Sequence, residues 1–116
     1  MIVKNILNIR NKQPTDILYQ FSPSLFWNCD VSKLHYKKNK KIIIERIIEN
    51  GKESDEILMW KIYSYREIKN VALNSLNLEK DKLMYMSFIL QIPEEKFKSY
   101  EKRQWVDMLK ESYDAI

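Results

Sequence analysis

The sequence predicts an all-α fold, a single compact helical domain of about five helices. The chain has 116 residues, of which 45% are hydrophobic, so one domain can bury a substantial core without disulfides. It has one glycine and three prolines, whereas an all-β domain needs many turns built from such residues. Several segments also repeat apolar residues at helical spacing, and this periodicity is the third observation that favours helices.

Residues 1–24 form a predicted N-terminal arm. Its first part, residues 1–12, fits either a helix or a short strand, because the apolar residues there are compatible with both spacings. Pro14 and Pro23 then bracket residues 16–21, which predict a brief turn of helix between two loops.

The next segment contains a capped turn and the first long helix. Asp30 is placed to act as the N-cap of a short turn over residues 31–34. A helix over about residues 37–50 follows, and its apolar residues share one face: Ile43, Ile44, Ile47 and Ile48. Gly51, the only glycine, lies where a residue in the left-handed conformation would end this helix.

Two further helices are predicted in close succession. Ser54 is the expected N-cap of the second helix, whose apolar residues surround nearly its whole circumference. Ser64 and Glu67 have the spacing of a capping box, which predicts a third helix from Tyr65 to about Leu76. Because only Ser64 separates the two, we expect these helices to meet at a sharp angle.

A fourth helix is predicted over about residues 79–91, ended by Pro93. It is apolar on nearly all sides, which is typical either of a central core helix or of one half of an interface. Residues 54–91 together suggest a helix-turn-helix-like arrangement.

The positive charge is concentrated in the first third of the chain. The total is +4, but residues 1–41 have eight Lys/Arg and two Asp, a net charge of +6. Residues 42–93 have seven basic and eight acidic residues, and residues 94–116 have five and six, so each of these regions has a net charge of −1. If the positive charge attracts an acidic partner or a phosphate backbone, the N-terminal third is where it is expected to do so.

The sequence offers little for catalysis or for a cofactor. Cys29 and His35 are the only cysteine and histidine, so neither a structural zinc site nor a histidine-based triad can be assembled. With one glycine there is no glycine-rich phosphate loop. We expect no enzyme, no cofactor and no metal. No apolar run is long enough to span a membrane and no signal peptide is evident, so a cytoplasmic location is expected.

Five lysines near the first helix form the first candidate binding site, for phosphates or an acidic partner: Lys33, Lys37, Lys38, Lys40 and Lys41. Lysines at this density can neutralise phosphates without reading the base sequence. The alternative is that they only keep an exposed helix start solvated.

The second candidate site lies on the third predicted helix. Arg66, Asn70 and Asn74 recur every four residues on its polar face, and these side chains can pair with guanine and adenine edges in the major groove. The alternative is an ordinary solvated face, which Glu67 on the same helix favours.

Residues 98–116 are predicted to form an amphipathic C-terminal helix. Trp105, Met108, Leu109 and Tyr113 line one side of it, and we interpret them as a partner interface. Most large aromatic residues of a small domain belong to its core, so packing within the chain is the alternative.

A block of residues resembles a small bacterial family of domains of unknown function. The resemblance rests on Leu25, Phe26, Trp27, Asp30, Lys33, Leu34, the Ile-Ile-Glu-Arg-Ile run from Ile43 to Ile47, Gly51, Tyr63, Ile68, Leu78, Ile92 and Pro93. It spans about residues 25–97, which we take as the main domain. Genes of that family often neighbour nucleotidyltransferase-type toxins of abortive-infection systems, so the resemblance implies an antitoxin-like, regulatory role and a toxin-like partner.

The chain departs from the family pattern at the start of the fourth predicted helix. Glu79 and Asp81 stand where the family has small hydroxyl and basic residues, and carboxylates there would repel a phosphate backbone. We therefore expect a non-enzymatic, antitoxin-like regulatory module that binds a partner protein, with DNA as a further candidate ligand. The alternative is a pure protein-interaction or oligomerisation module that binds no nucleic acid.

Overall fold

The computed structural model describes residues 16–114, and the segment 1–12, predicted as helix or strand, lies outside this range. Within the described range there are five α-helices, four short 3-10 helices and no strand, which confirms the predicted all-α fold. The α-helices are α1 (Lys40–Asn50), α2 (Glu53–Ile62), α3 (Tyr65–Asn74), α4 (Lys80–Leu90) and α5 (Lys98–Asp114). The 3-10 helices are Asp16–Gln20, Pro23–Phe26, Val31–Lys33 and Glu94–Lys96.

The chain divides into two compact units, one up to Ile68 and one from Lys69 onward, so the division falls inside α3. Among residues 16–68, the first unit buries thirteen apolar side chains, which come from its helices and from the predicted arm: Ile17, Leu18, Phe21, Leu25, Phe26, Ile43, Ile44, Ile47, Ile48, Leu58, Met59, Tyr63 and Ile68. The four isoleucines of α1 are buried as predicted. Helix α1 packs against α2 and against the 3-10 helix Pro23–Phe26, to which Arg46 also donates a hydrogen bond at the Leu25 carbonyl (3.0 Å).

Helix α1 ends at a glycine, but not in the predicted way. Gly51 has φ −69° and ψ 148°, an extended conformation that any residue can adopt, so the expected left-handed conformation is wrong. Its N–H donates to the Ile47 carbonyl at 2.7 Å. A Cβ atom at Gly51 would lie 2.5 Å from that oxygen and 2.9 Å from the Ile47 Cγ2 atom. The chain therefore needs glycine here for close approach rather than for a positive φ.

The start of α2 also differs from the prediction. Ser54 lies inside the helix, and the N-cap is Lys52. The buried carboxylate of Asp55 accepts hydrogen bonds from the backbone N–H of Lys52 (2.9 Å) and of Ser22 (2.8 Å). Asp55, in the third position of the helix, thus accepts from a backbone N–H at the helix start that would otherwise lack an acceptor. The same carboxylate also fixes the loop at Ser22, which lies 33 residues earlier.

The predicted start of α3 is confirmed. The Ser64 hydroxyl accepts from the Glu67 N–H (3.1 Å), and the Glu67 carboxylate accepts from the Ser64 N–H (2.9 Å), which is a capping box. Two residues, Tyr63 and Ser64, separate α2 from α3 rather than Ser64 alone, because α2 ends at Ile62.

The second unit has a smaller apolar core, formed by Val71, Ala72, Leu78, Leu83, Met86, Leu90 and Phe97. Helix α4 buries only one face in it. Met84, Phe88 and Ile89 are exposed, by 50%, 78% and 37%, so α4 is not a central core helix. It ends at Gln91, whose φ of 55° is left-handed, and the Ser87 hydroxyl closes the turn by donating to the Ile92 carbonyl (2.6 Å).

A buried serine joins the loop after α3 to the start of α5. The Ser99 hydroxyl donates to the Ser75 carbonyl (2.5 Å) and accepts from the Leu78 N–H (3.1 Å). Ser75 and Ser99 are 1% and 3% exposed, so these bonds form away from water. The connection fixes the first turn of α5 on its own unit.

None of the helices in residues 16–114 combines the length and the apolar character that a membrane span requires. The helix-turn-helix-like arrangement of residues 54–91 and the division into arm, domain and C-terminal helix remain predictions.

Candidate functional site

The five predicted lysines lie on and around the turn before α1. Lys33, Lys37, Lys38 and Lys41 are exposed, whereas Lys40 is partly covered. Asp30 caps the short helix that contains Lys33 by accepting from the Ser32 N–H at 3.1 Å. The Ser32 hydroxyl and N–H also hold the pKa of Asp30 below its usual range. We refer to these five lysines as the lysine segment.

Three polar contacts that the sequence did not suggest shape the lysine segment. The His35 Nδ1 atom accepts from the backbone N–H of Lys37 (3.1 Å), and Asn39 Oδ1 accepts from the His35 N–H (2.8 Å). The buried Tyr63 donates its hydroxyl to the Tyr36 carbonyl (2.6 Å), 27 residues away. These bonds hold residues 36–39 as a turn, which is why α1 begins at Lys40 rather than at residue 37. No periodic pattern in the sequence signals them.

An ion pair links the lysine segment to the start of α3. Lys40 Nζ lies 3.2 Å from a Glu67 carboxylate oxygen, with 45% and 22% of the two side chains exposed. The Ser64 N–H first, and then the Lys40 ammonium group, lower the pKa of Glu67. Arg66, the neighbour of Glu67 on α3, is exposed. Within the first unit, the ion pair therefore connects the lysine segment to the first turn of α3, where Arg66 is a further exposed cation.

All three predicted base-reading residues are exposed on α3: Arg66, Asn70 and Asn74. Their spacing of four residues places them along one face of the helix. Asn74 Nδ2 donates to the Asn70 carbonyl at 2.7 Å, so the Asn74 amide already satisfies a backbone group near the end of α3.

Helix α5 presents its apolar residues to solvent. Of its 17 residues only Ser99 is buried, and every residue from Gln104 to Asp114 is exposed. Five large apolar side chains are at least half exposed: Trp105 (57%), Val106 (50%), Met108 (52%), Leu109 (50%) and Tyr113 (78%). These five residues, which we call the α5 stripe, contain all four predicted interface residues. The alternative interpretation was that these residues pack in the core of the chain. In the structure they are exposed instead.

A groove of about 300 Å³ lies beside the first turns of α5, within the second unit. Arg103 donates to the Leu78 carbonyl (2.9 Å), and Lys102 donates to Asn77 Oδ1 (3.1 Å), so both cations bind the loop before α4. The buried Nε atom of Arg103 has no acceptor. Glu79 and Asp107 also line the groove, which leaves its four charged residues with no net charge.

No group of three or more His, Cys, Asp or Glu residues suited to a metal ion occurs in residues 16–114. Cys29 is partly exposed, and its Sγ atom lies 3.5 Å from Asn28 Oδ1.

One family model matches the part of the chain that contains the lysine segment. Residues 21–72 match the family of unknown function DUF6922. The chain is thus similar to an uncharacterised domain family, as the resemblance predicted, although the match ends within α3 rather than near residue 97. No curated protein and no solved structure matched the chain.

The DUF6922 match separates the predicted site residues into two groups. The lysine segment, Arg66 and Asn70 lie inside the matched residues. Asn74 and the whole α5 stripe lie beyond residue 72, as do Glu79 and Asp81 at the start of α4. The α5 stripe is therefore a feature of this chain outside the part that is similar to DUF6922.

Proposed function

We propose that the protein is a non-enzymatic interaction module that binds a protein partner through the α5 stripe. The exposure of Trp105, Leu109 and Tyr113 on one helix is the observation that supports this proposal. Soluble monomers rarely expose contiguous apolar surface of this kind, and Trp, Tyr and Met are enriched in the buried centres of protein interfaces.

The position of the stripe on α5 also supports docking. The helix is held at its first turns by Ser99 and Arg103, so the exposed part projects from a fixed base. A partner that covers a preformed helix face avoids most of the entropy cost of ordering it, and an amphipathic helix in an apolar groove is a recurring mode of protein recognition.

The test compares two exposed tryptophans. The full chain, a Trp105→Glu variant and a Trp27→Glu variant are each immobilised and used to capture proteins from a lysate of the source cells. Trp27 is a matched control, because this tryptophan is 81% exposed and lies in the first unit. A protein retained by the full chain is then purified, and its affinity for each variant is measured directly. We expect Trp105→Glu to weaken binding at least about 30-fold, as for an interface hot spot, and Trp27→Glu to leave it unchanged. Equal affinity of the Trp105→Glu variant and the unmodified chain would overturn the proposal.

Nucleic-acid binding by the lysine segment is a second candidate function, favoured by the exposure of Lys37, Lys38 and Lys41. In this proposal the lysine segment contacts phosphates, and Arg66, Asn70 and Asn74 contact bases. Affinity for duplex DNA should then fall steeply with salt, because each neutralised phosphate releases counterions.

A charge-matched pair of variants tests this second function. Lys38→Glu with Lys41→Glu should weaken DNA binding and lower its salt dependence, whereas Lys80→Glu with Lys96→Glu changes the net charge equally at exposed sites elsewhere. Equal loss in both variants would indicate a nonspecific effect of net charge. Retention on heparin no stronger than that of a neutral protein of similar size would exclude the lysine segment as a phosphate site.

We propose an antitoxin-like regulatory role in the bacterial cytoplasm as the biological setting. The resemblance to a family encoded beside abortive-infection toxins supports this setting, and a toxin-like protein is then the expected partner. The alternative, a pure interaction or oligomerisation module, needs the α5 stripe alone. It predicts that the lysine variants leave function unchanged.

A further inference from the structure

We infer that the α5 stripe of one copy binds the α5 stripe of a second copy, with the two helices antiparallel and related by a two-fold axis beside Leu109. This inference rests on the proposed function, because it names the protein that the α5 stripe binds. Three features of α5 support it: the spacing of its apolar residues, the placement of its charged residues, and the area that it exposes.

Three of the five stripe residues are spaced symmetrically about Leu109, whereas Val106 and Met108 lie level with Ser112 and Lys110 of the second copy. Trp105 precedes it by four residues and Tyr113 follows it by four, which is about 6 Å of helix in each direction. In an antiparallel pair centred on Leu109, the two Leu109 side chains meet, and each Trp105 lies at the level of the other copy's Tyr113. A two-fold interface requires this kind of self-complementary pattern, in which residue i contacts j and j contacts i.

The charged residues in the exposed part of α5 do not interrupt the stripe. At 100° per residue, Asp107, Lys110, Glu111 and Asp114 all lie at least roughly 100° around the helix from the centre of the stripe. A second helix can therefore cover the stripe without burying a charge, so binding carries no desolvation penalty for an ion.

The distribution of charge along α5 favours the antiparallel orientation. The first part contains Lys98, Glu101, Lys102 and Arg103, with a net charge of +2. The second part contains Asp107, Lys110, Glu111 and Asp114, with a net charge of −2. This order opposes the helix dipole, which prefers acidic residues at the N-terminus and basic residues at the C-terminus.

In an antiparallel pair, this order of charges produces an attraction between the two copies of α5. With the two-fold axis at Leu109, Asp114 of each helix lies within one turn of Lys102 and Arg103 of the second copy, and the two helix dipoles oppose each other. A parallel pair would instead place like charges beside each other. The charge pattern of α5 thus complements a second α5 in one orientation only.

The exposed area sets the expected strength of the pair. About half of five large side chains is uncovered, so each copy can bury roughly 500 Å² and the pair roughly 1,000 Å². This total lies at the lower limit for a specific interface. We therefore expect a dimer that dissociates at micromolar concentrations rather than a permanent one.

Sedimentation velocity of the full chain tests the inference. From about 5 to about 500 µM the chain should shift from monomer to dimer, as expected for a micromolar interface. Leu109→Glu and Leu109→Lys should each remain monomeric, because two like charges would meet at the axis. Phe88→Glu on α4 is the control, since that side chain is 78% exposed and lies outside the stripe, and it should dimerise as the unmodified chain does.

A mixture of the Leu109→Glu and Leu109→Lys chains gives the decisive readout. If residue 109 faces itself across the axis, the mixture should form a heterodimer although neither variant self-associates. A mixture that stays monomeric, or a Leu109→Glu variant that still dimerises, would overturn the inference. If the unmodified chain is monomeric throughout but a different protein binds it and is lost in Trp105→Glu, the proposed function stands and the inference fails. If neither a dimer nor such a protein is found, both fail.

Discussion

The carboxylate of Asp55, at the start of α2, accepts a hydrogen bond from the backbone N–H of Ser22 at 2.8 Å, across 33 residues of sequence. The second carboxylate oxygen accepts from the Lys52 N–H, so Asp55 is 2% exposed with both oxygens bound. One side chain thus connects the loop before Pro23 to the cap of a helix. A buried carboxylate with this role contributes to the position of both segments.

Substitution of Asp55 should destabilise the first unit. Asp55→Ala leaves the Ser22 and Lys52 N–H groups without their acceptor, and we expect a loss of about 2 kcal/mol in the free energy of unfolding. Asp55→Asn should cost less, because the amide oxygen can still accept one of the two bonds. Urea unfolding followed by circular dichroism measures both. Glu53→Ala, in the same helix turn but exposed, is the control and should change stability by less than about 0.5 kcal/mol.

Gly51 should tolerate no side chain. In Gly51→Ala the new methyl group would collide with the Ile47 carbonyl and Cγ2 atoms, and we expect a loss of about 2 kcal/mol in urea unfolding. Gly51→Asn should be at least as destabilising. At a left-handed position asparagine would be better tolerated than alanine. A Gly51→Asn variant that is more stable than Gly51→Ala would therefore contradict the extended conformation of Gly51. Asn50→Ala, exposed one residue earlier, provides the control.

The stability contribution of Glu67 should depend on pH. The Ser64 N–H and the Lys40 ammonium group lower the pKa of Glu67 from its ordinary value of 4.5, so the folded state favours the ionised form. This contribution is complete above pH 4.5 and is lost as the pH falls through the lower pKa of the folded state. Glu67→Gln should therefore be less stable than the unmodified chain at pH 7, and the difference should shrink towards pH 3. Urea unfolding at both pH values measures it, because guanidinium ions would screen the ion pair, and a constant difference would exclude the ionised carboxylate as the cause.

Ser99 should stabilise the second unit through its buried hydroxyl. Ser99→Ala removes the donor to the Ser75 carbonyl and the acceptor for the Leu78 N–H, and we expect a loss of about 2 kcal/mol. Ser112→Ala on the exposed part of α5 should have an effect below about 0.5 kcal/mol. Hydrogen exchange of the Leu78 amide reports the same contact directly, and should accelerate in Ser99→Ala only.

The sequence predicted the elements whose causes are local. The isoleucine face of α1 follows from helical periodicity, and the capping box of Ser64 and Glu67 from residues three apart. Four residues of the α5 stripe, namely Trp105, Met108, Leu109 and Tyr113, were also predicted to line one side of a helix, since they lie within nine positions of each other.

What the sequence did not predict depends on the detailed geometry of helix ends and on contacts between distant residues. Ser54 is a good N-cap by residue type, but α2 begins after Lys52, where Asp55 accepts from the Lys52 N–H and also from the distant Ser22 N–H. Gly51 has the position of a left-handed cap, yet the chain leaves α1 in an extended conformation close to Ile47. The bond between Tyr63 and Tyr36 shapes the lysine segment across 27 residues, and no local pattern predicts such a pair.

The hydrogen bond from Tyr63 to the Tyr36 carbonyl also sets an alkaline limit to the fold. Burial, and then the nearby charge of Glu67, raise the pKa of Tyr63 well above its ordinary value of 10. Above pH 10 the unfolded chain releases this proton while the folded chain retains it, and each further rise in pH then favours unfolding. A strongly basic solution should therefore release the turn that presents the lysine segment, and any binding that depends on the shape of this turn should be lost with it.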